Sequence, residues 1–108
     1  MHDVIVLYNH PDDQAAFDEH YIRRHVPLVQ KLPGLVDFTW GTTDTSGAPA
    51  PYHVIARMTF ADRAAADTAF ASPAGAASVE DLGHFAGAGV TVLHVPRAGT
   101  VGGGEGAS

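Results

Sequence analysis

Phe17-Asp-Glu-His-Tyr-Ile-Arg-Arg-His-Val-Pro-Leu-Val-Gln-Lys-Leu32 reads as a helix with a proline inside it. Phe17, Tyr21, His25, Leu28 and Leu32 recur at steps of four, four, three and four, so they share one face. The middle of that otherwise apolar stripe is a histidine, one turn beyond a tyrosine. Pro27 has no N–H for the carbonyl of Arg23, and its ring crowds that carbonyl. Val26, before the proline, is biased away from helical angles. The spacing therefore predicts a helix over 14–31 that breaks near Val26, with His25 turned inward at the break.

Upstream, Val4-Ile-Val-Leu-Tyr8 is a short β-branched run without polar alternation, a strand with both faces covered. Asn9 to Asp13 is a turn, and Asp12 or Asp13 caps the helix. Leu32-Pro-Gly34 stops it, because glycine supplies the left-handed turn. Residues 35–41 alternate as a strand, with Val36, Phe38 and Trp40 on one side. Tyr52 to Phe60 is a longer strand: Tyr52, Val54, Ala56, Met58 and Phe60 point one way, His53, Ile55, Arg57 and Thr59 the other. Asp62 caps a helix over 63–71. Ser72-Pro73 opens another that is expected to end at Leu82, before Gly83. His84 to Gly89 reads as a loop, and Val90 to Val95 as the last strand. Strand, helix, strand, strand, helix pair, strand is the ferredoxin-like α+β order, a four-stranded antiparallel sheet with helices on one face. The other face remains apolar, and a second copy packed sheet to sheet is the simplest cover.

The composition narrows the function. The chain has 108 residues, one domain by length, and its 45% hydrophobic and 17% charged residues are globular proportions. A net charge of −6 argues against nucleic acid and anionic membrane surfaces as partners. With no cysteine there is no disulfide, thiolate metal site or cysteine nucleophile. No run is long enough to span a membrane and no leader-like segment opens the chain, so a cytoplasmic protein is expected. Residues 97–108 read as a disordered glycine-rich tail, leaving one domain over 1–96. Seven histidines invite a metal, but none is expected: His20 and His25 lie five apart, roughly 140° round an α-helix.

Leu7-Tyr8, Phe17-Asp-Glu-His-Tyr21, His25-Val-Pro-Leu28, Lys31-Leu-Pro-Gly34, Pro51-Tyr-His-Val54, Phe60, Ser72-Pro-Ala-Gly75 and Phe85 give the chain a resemblance to the EthD family of the dimeric α/β-barrel superfamily. The resemblance spans residues 3 to about 95. It implies a homodimer whose ligand sits between each subunit's helices and sheet. Relatives in that superfamily include cofactor-free monooxygenases of aromatic polyketides, polyketide cyclases, muconolactone isomerase-like proteins and haem-degrading enzymes. Two functions follow as expectations. One is a cofactor-independent enzyme, oxidoreductase or cyclase, on a hydrophobic aromatic or polyketide-like substrate. In it His25 is the general acid/base and Tyr21 holds the developing oxyanion. Tyr8, Trp40 and Phe60, with His84 and Phe85 on a lid-like loop, are the expected substrate-binding residues. The other is a non-catalytic dimer that holds a small ligand or serves a partner oxygenase, with His25 hydrogen-bonded to a carbonyl at the kink. His53 and Arg57 are expected to face the partner sheet.

Overall fold

The computed structural model describes residues 1–44, 46–99 and 101. Four strands, β1 (His2–Tyr8), β2 (Asp37–Thr42), β3 (Val54–Phe60) and β4 (Val90–Pro96), form one antiparallel sheet in the order β2-β3-β1-β4. Helices α1 (Gln14–His20), α2 (Val26–Val29), α3 (Arg63–Ala71) and α4 (Pro73–Phe85) cover one face. This is the expected ferredoxin-like topology. Of the glycine-rich tail, residues 100 and 102–108 lie outside the described residues.

The covered face is the core. In the register of the central strands, Val4 pairs with Met58, Val6 with Ala56 and Tyr8 with Val54, and all six are buried. Phe17, Tyr21, Val29 and Leu32 close over them from the first helical segment, and Ala66 and Ala69 from α3. The helix starts obey the capping rules. Asp13 accepts from the Ala16 N–H at 3.0 Å and Asp62 from the Ala65 N–H at 2.8 Å. Ser72 Oγ accepts from the Gly75 N–H at 3.1 Å, with Pro73 beside it at the helix start. Gly34 takes φ +76°, the left-handed turn that ends the first helical segment.

The break at His25 has a different form from the one expected. Tyr21–His25 is a π-helical turn, in which the Val26 N–H bonds back to the Tyr21 carbonyl, five residues away. Val26 keeps helical angles (φ −55°, ψ −46°), and Pro27 falls in the first turn of α2, where its missing N–H costs least. The ladder thus slips before the proline ring arrives. The slip advances the inward stripe: Val26 and Val29 are buried, while Leu28 is only half-buried.

Two more expectations are corrected. α4 runs through Gly83 to Phe85, so His84 and Phe85 are helical and form no lid loop. An interior glycine costs about 1 kcal/mol of helix propensity, and the ring contacts of Phe85 with Tyr8, Phe17, Tyr21 and His25 outweigh it. His53 precedes β3 and escapes its alternation. Its ring turns to α1, where Nε2 donates to Asp18 Oδ1 at 2.8 Å and the ring meets Phe17 edge-on. Arg57 does lie on the open sheet face, with its guanidinium on Asp37 at 2.9 Å and 3.5 Å from Asp3.

That open face carries Ile5 and Leu7, half-buried, and Ile55 and Leu93, 40% and 45% exposed. At one end Asp3 accepts from Arg97 Nε at 2.8 Å and Nη2 at 3.0 Å, and from the Thr59 hydroxyl at 2.6 Å. Arg97, assigned by sequence to the tail, is therefore held to β1. Its hydrogen bond lowers the Asp3 carboxyl to about 2, against the opposing effect of burial. Among the described residues, no helix is long and apolar enough to cross a membrane.

Candidate active site

Between the helices and the sheet lies a cleft of about 470 Å³, its open mouth included. Val6, Val29, Phe38, Met58, Leu82 and Val92 supply most of its wall. Val92 is 48% exposed, which places the mouth at the edge strand β4. Into this apolar space three polar side chains project: His25, Tyr21 and Tyr8. Ser78 also lines it, but its hydroxyl is engaged by the Gly75 carbonyl at 2.8 Å.

His25 is only 4% exposed and is gripped from behind. Its Nδ1 lies 3.0 Å from Asp81 Oδ2, and its Nε2 lies 3.4 Å from the Tyr8 hydroxyl. The other carboxylate oxygen of Asp81 lies 2.9 Å from His20 Nε2. Burial alone would raise the Asp81 carboxyl, but hydrogen bonds from His20 and His25 outweigh it and hold it below the ordinary carboxylate value. Asp81 is therefore ionised at neutral pH and accepts from both rings. Burial lowers the His25 imidazole below its ordinary value, against the pull of Asp81. Neutral His25 thus carries its proton on Nδ1, toward Asp81, and leaves Nε2 unprotonated, as acceptor for the Tyr8 hydroxyl.

Burial pushes both tyrosines well above the ordinary phenol, so both remain O–H donors. The two hydroxyls interact, raising Tyr8 and offsetting part of the rise at Tyr21. Yet among the described residues the Tyr21 oxygen, on a side chain 2% exposed, has no partner at hydrogen-bonding geometry. A buried hydroxyl in that state costs roughly 1–3 kcal/mol, and a guest oxygen would satisfy it.

The other expected binding residues are placed differently. Phe60 is fully buried behind Phe70, a wall residue of the cleft, and does not itself line it. Trp40 is exposed and meets the site through ring contacts with Tyr21 and Phe38. His84 and Phe85 line a second, outer cavity between α1 and the C-terminal end of α4, and the Phe85 ring also meets Tyr8, Tyr21 and His25, which line the cleft. Sequence reasoning missed Asp81 altogether and weighed His20 only as a metal ligand. The signal for Asp81 was present: a carboxylate on the inward stripe Gly75, Ser78, Asp81, Phe85. His20 was obscured by α-helical arithmetic. Five residues span 140° in an α-helix but little more than one turn in the wider π geometry, so both rings reach one carboxylate. Among the described residues no group of three metal-ligating side chains converges.

Residues 9–89 match the EthD domain. The chain belongs to the EthD domain family. An uncharacterised 11.0 kDa protein from the thcB-thcC intergenic region of Rhodococcus erythropolis is 46% identical over 94 residues, covering 86% of this chain and 91% of its own length. The crystal structure of an EthD family protein from Bacillus halodurans superposes with a TM-score of 0.85 at 33% identity, covering 90% of this chain and 98% of that one. A dimeric ferredoxin-like protein of unknown function from Jannaschia sp. CCS1 shares the fold, with a TM-score of 0.68 at 24% identity over 89% of this chain and 98% of that one. The EthD match encloses the whole first helical segment with His20, Tyr21 and His25, and all of α4 with Asp81.

Proposed function

We propose that this EthD protein is a cofactor-independent acid–base enzyme acting on a hydrophobic, aromatic or polyketide-like molecule. His25 Nε2 takes an acidic C–H or O–H proton from the substrate. The Tyr21 hydroxyl donates to the oxygen on which negative charge develops, and Tyr8 holds the imidazole from the cleft side until substrate displaces it. Asp81 pairs with the imidazolium that forms. The observation that carries this reading is the buried, unpartnered Tyr21 hydroxyl opening on the same apolar cleft as His25. A purely structural histidine would not require an unsatisfied donor beside it. The apolar walls suit an uncharged ring system with one ionisable oxygen. Once formed, an enolate or phenolate is the shared intermediate of oxygenation, cyclisation and isomerisation.

The open sheet face supports a homodimer, with Ile5, Leu7, Ile55 and Leu93 of two copies packed face to face. The test of the enzymatic reading is His25→Gln against a panel of phenols and hydroxylated aromatic polyketides. Turnover is expected to fall about 10²–10⁴-fold, the contribution of a positioned general base, with the fold retained by circular dichroism. A folded variant at full rate refutes the reading.

A further inference from the structure

The chain of contacts does not stop at His25. His20 shares the Asp81 carboxylate with it, stacks on Phe85 at 4.9 Å with an 18° interplanar angle, and lines the outer cavity. That cavity, about 740 Å³ with its mouth, is of mixed polarity, with a larger polar share than the inner cleft. Asp12, Asp13 and His84 border it, and Glu19, Arg23 and Arg24 border a neighbouring groove on the other side of His20. His20 thus lies between the carboxylate it shares with His25 and a cavity open to solvent. A ring that only propped up Asp81 would not need to reach solvent, yet the His20 side chain is 27% exposed.

We propose that His20 and the outer cavity are the proton port of the inner cleft: a proton taken up by His25 is matched by one released from His20, through the carboxylate the two rings share. The inference rests on the reading of His25 as the base. Asp81 carries a single negative charge and can fully pair with a single imidazolium, so a proton gained by one ring weakens the hold of the other on its own. In the step, the substrate C–H or O–H bond breaks and an Nε2–H bond forms on His25. In the molecules where His20 begins as the imidazolium, it gives the proton of Nδ1, the nitrogen not bound to Asp81, to water in the outer cavity. Asp81 keeps both hydrogen bonds and its charge, and the net charge of the triad is unchanged. The reverse step reloads His20 and lets His25 protonate the product. The groups facing this triad are Tyr8 from β1, Tyr21 from the π turn, and the acidic and basic side chains already named around His20. Neither tyrosine changes charge in the working range, because both phenols are pushed up.

The test needs no substrate. The imidazole signals of His20 and His25 are followed by NMR in the full chain from about pH 4.5 to pH 8.5, the range in which imidazoles exchange protons, in wild type, His20→Gln and His20→Phe. Glutamine keeps a donor for Asp81, and phenylalanine keeps the stack on Phe85, so at least one variant retains the local geometry. In wild type each ring is expected to sense the other, giving two inflections in the His25 curve. In both variants His25 should titrate in one step, shifted upward by about 0.5 pH unit or more, the scale of Coulomb coupling between like charges one carboxylate apart. A single-step wild-type curve, one superimposable on that of His20→Gln, or no titration of His25 before acid unfolding would each overturn the port. Unchanged turnover in His25→Gln would instead remove the base, whatever the titration gives.

Discussion

Replacing Tyr21 by Phe should make the protein more stable and less active, and the opposite signs are the point. The side chain is 2% exposed, its ring stacks on Phe17 at 5.9 Å, and its hydroxyl lacks a partner among the described residues. Tyr21→Phe keeps the ring and its contacts and removes the unsatisfied oxygen. Burying an unpaired hydroxyl costs roughly 1–3 kcal/mol in proteins. The interaction with the Tyr8 hydroxyl returns part of that, and the void left by one oxygen is small. A net gain of about 1 kcal/mol follows, which for a domain of this size raises Tm by about 4–8 °C. Thermal melts at pH 7 and one fixed protomer concentration, with urea curves beside them, read the change. Turnover should fall about 10²–10³-fold, the loss seen when one oxyanion donor is removed. A loss of 1 kcal/mol or more would mean that the hydroxyl is already satisfied in the ligand-free protein, and the oxyanion argument would fail with it.

Two further outcomes follow from the open sheet face. Asp3→Asn should destabilise the protein at pH 7 by on the order of 1–2 kcal/mol. Because the folded carboxyl is lowered from 3.8 to about 2, its contribution is fully present above about pH 4 and is lost as the pH falls toward 2. Wild-type and variant urea midpoints should converge across that window, and parallel curves down to pH 2 would contradict the linkage. Leu93→Arg places a charge opposite Ile5 on β1, at the middle of the proposed interface. Light scattering during gel filtration should report twice the chain mass for wild type and the single chain mass for the variant. A variant that remains dimeric would move the interface elsewhere.

The topology was legible because each element announces itself locally. The β-branched run of β1, the Asp62 and Ser72 caps and the glycine at the end of the first helical segment each act within a few residues. The same locality misled at Gly83, where a residue that weakens an isolated helix is overruled by the long-range packing of Phe85. It misled again at His53, which trades strand alternation for the Asp18 carboxylate. In the site, the inward turn of His25 and Tyr21 follows from spacing alone. The partner of His25 does not, because Asp81 lies 56 positions away and its approach depends on how α4 crosses the π turn. The π turn itself is the least legible feature. Pro27 signals a disrupted ladder, but nothing in the local sequence chooses a widened turn before it over a kink at it. That choice brings His20 and His25 to one carboxylate.

Every chemical step above requires His25 to keep Nε2 unprotonated while Asp81 holds the proton on Nδ1. Long-range proton–nitrogen NMR of the imidazoles at neutral pH reads this directly. The account predicts a neutral His25 with its proton on Nδ1 and a bare Nε2, and loss of that single-tautomer pattern in Asp81→Asn. A His25 whose proton resides on Nε2 would contradict it, since the cleft would then face a donor where the chemistry requires a base.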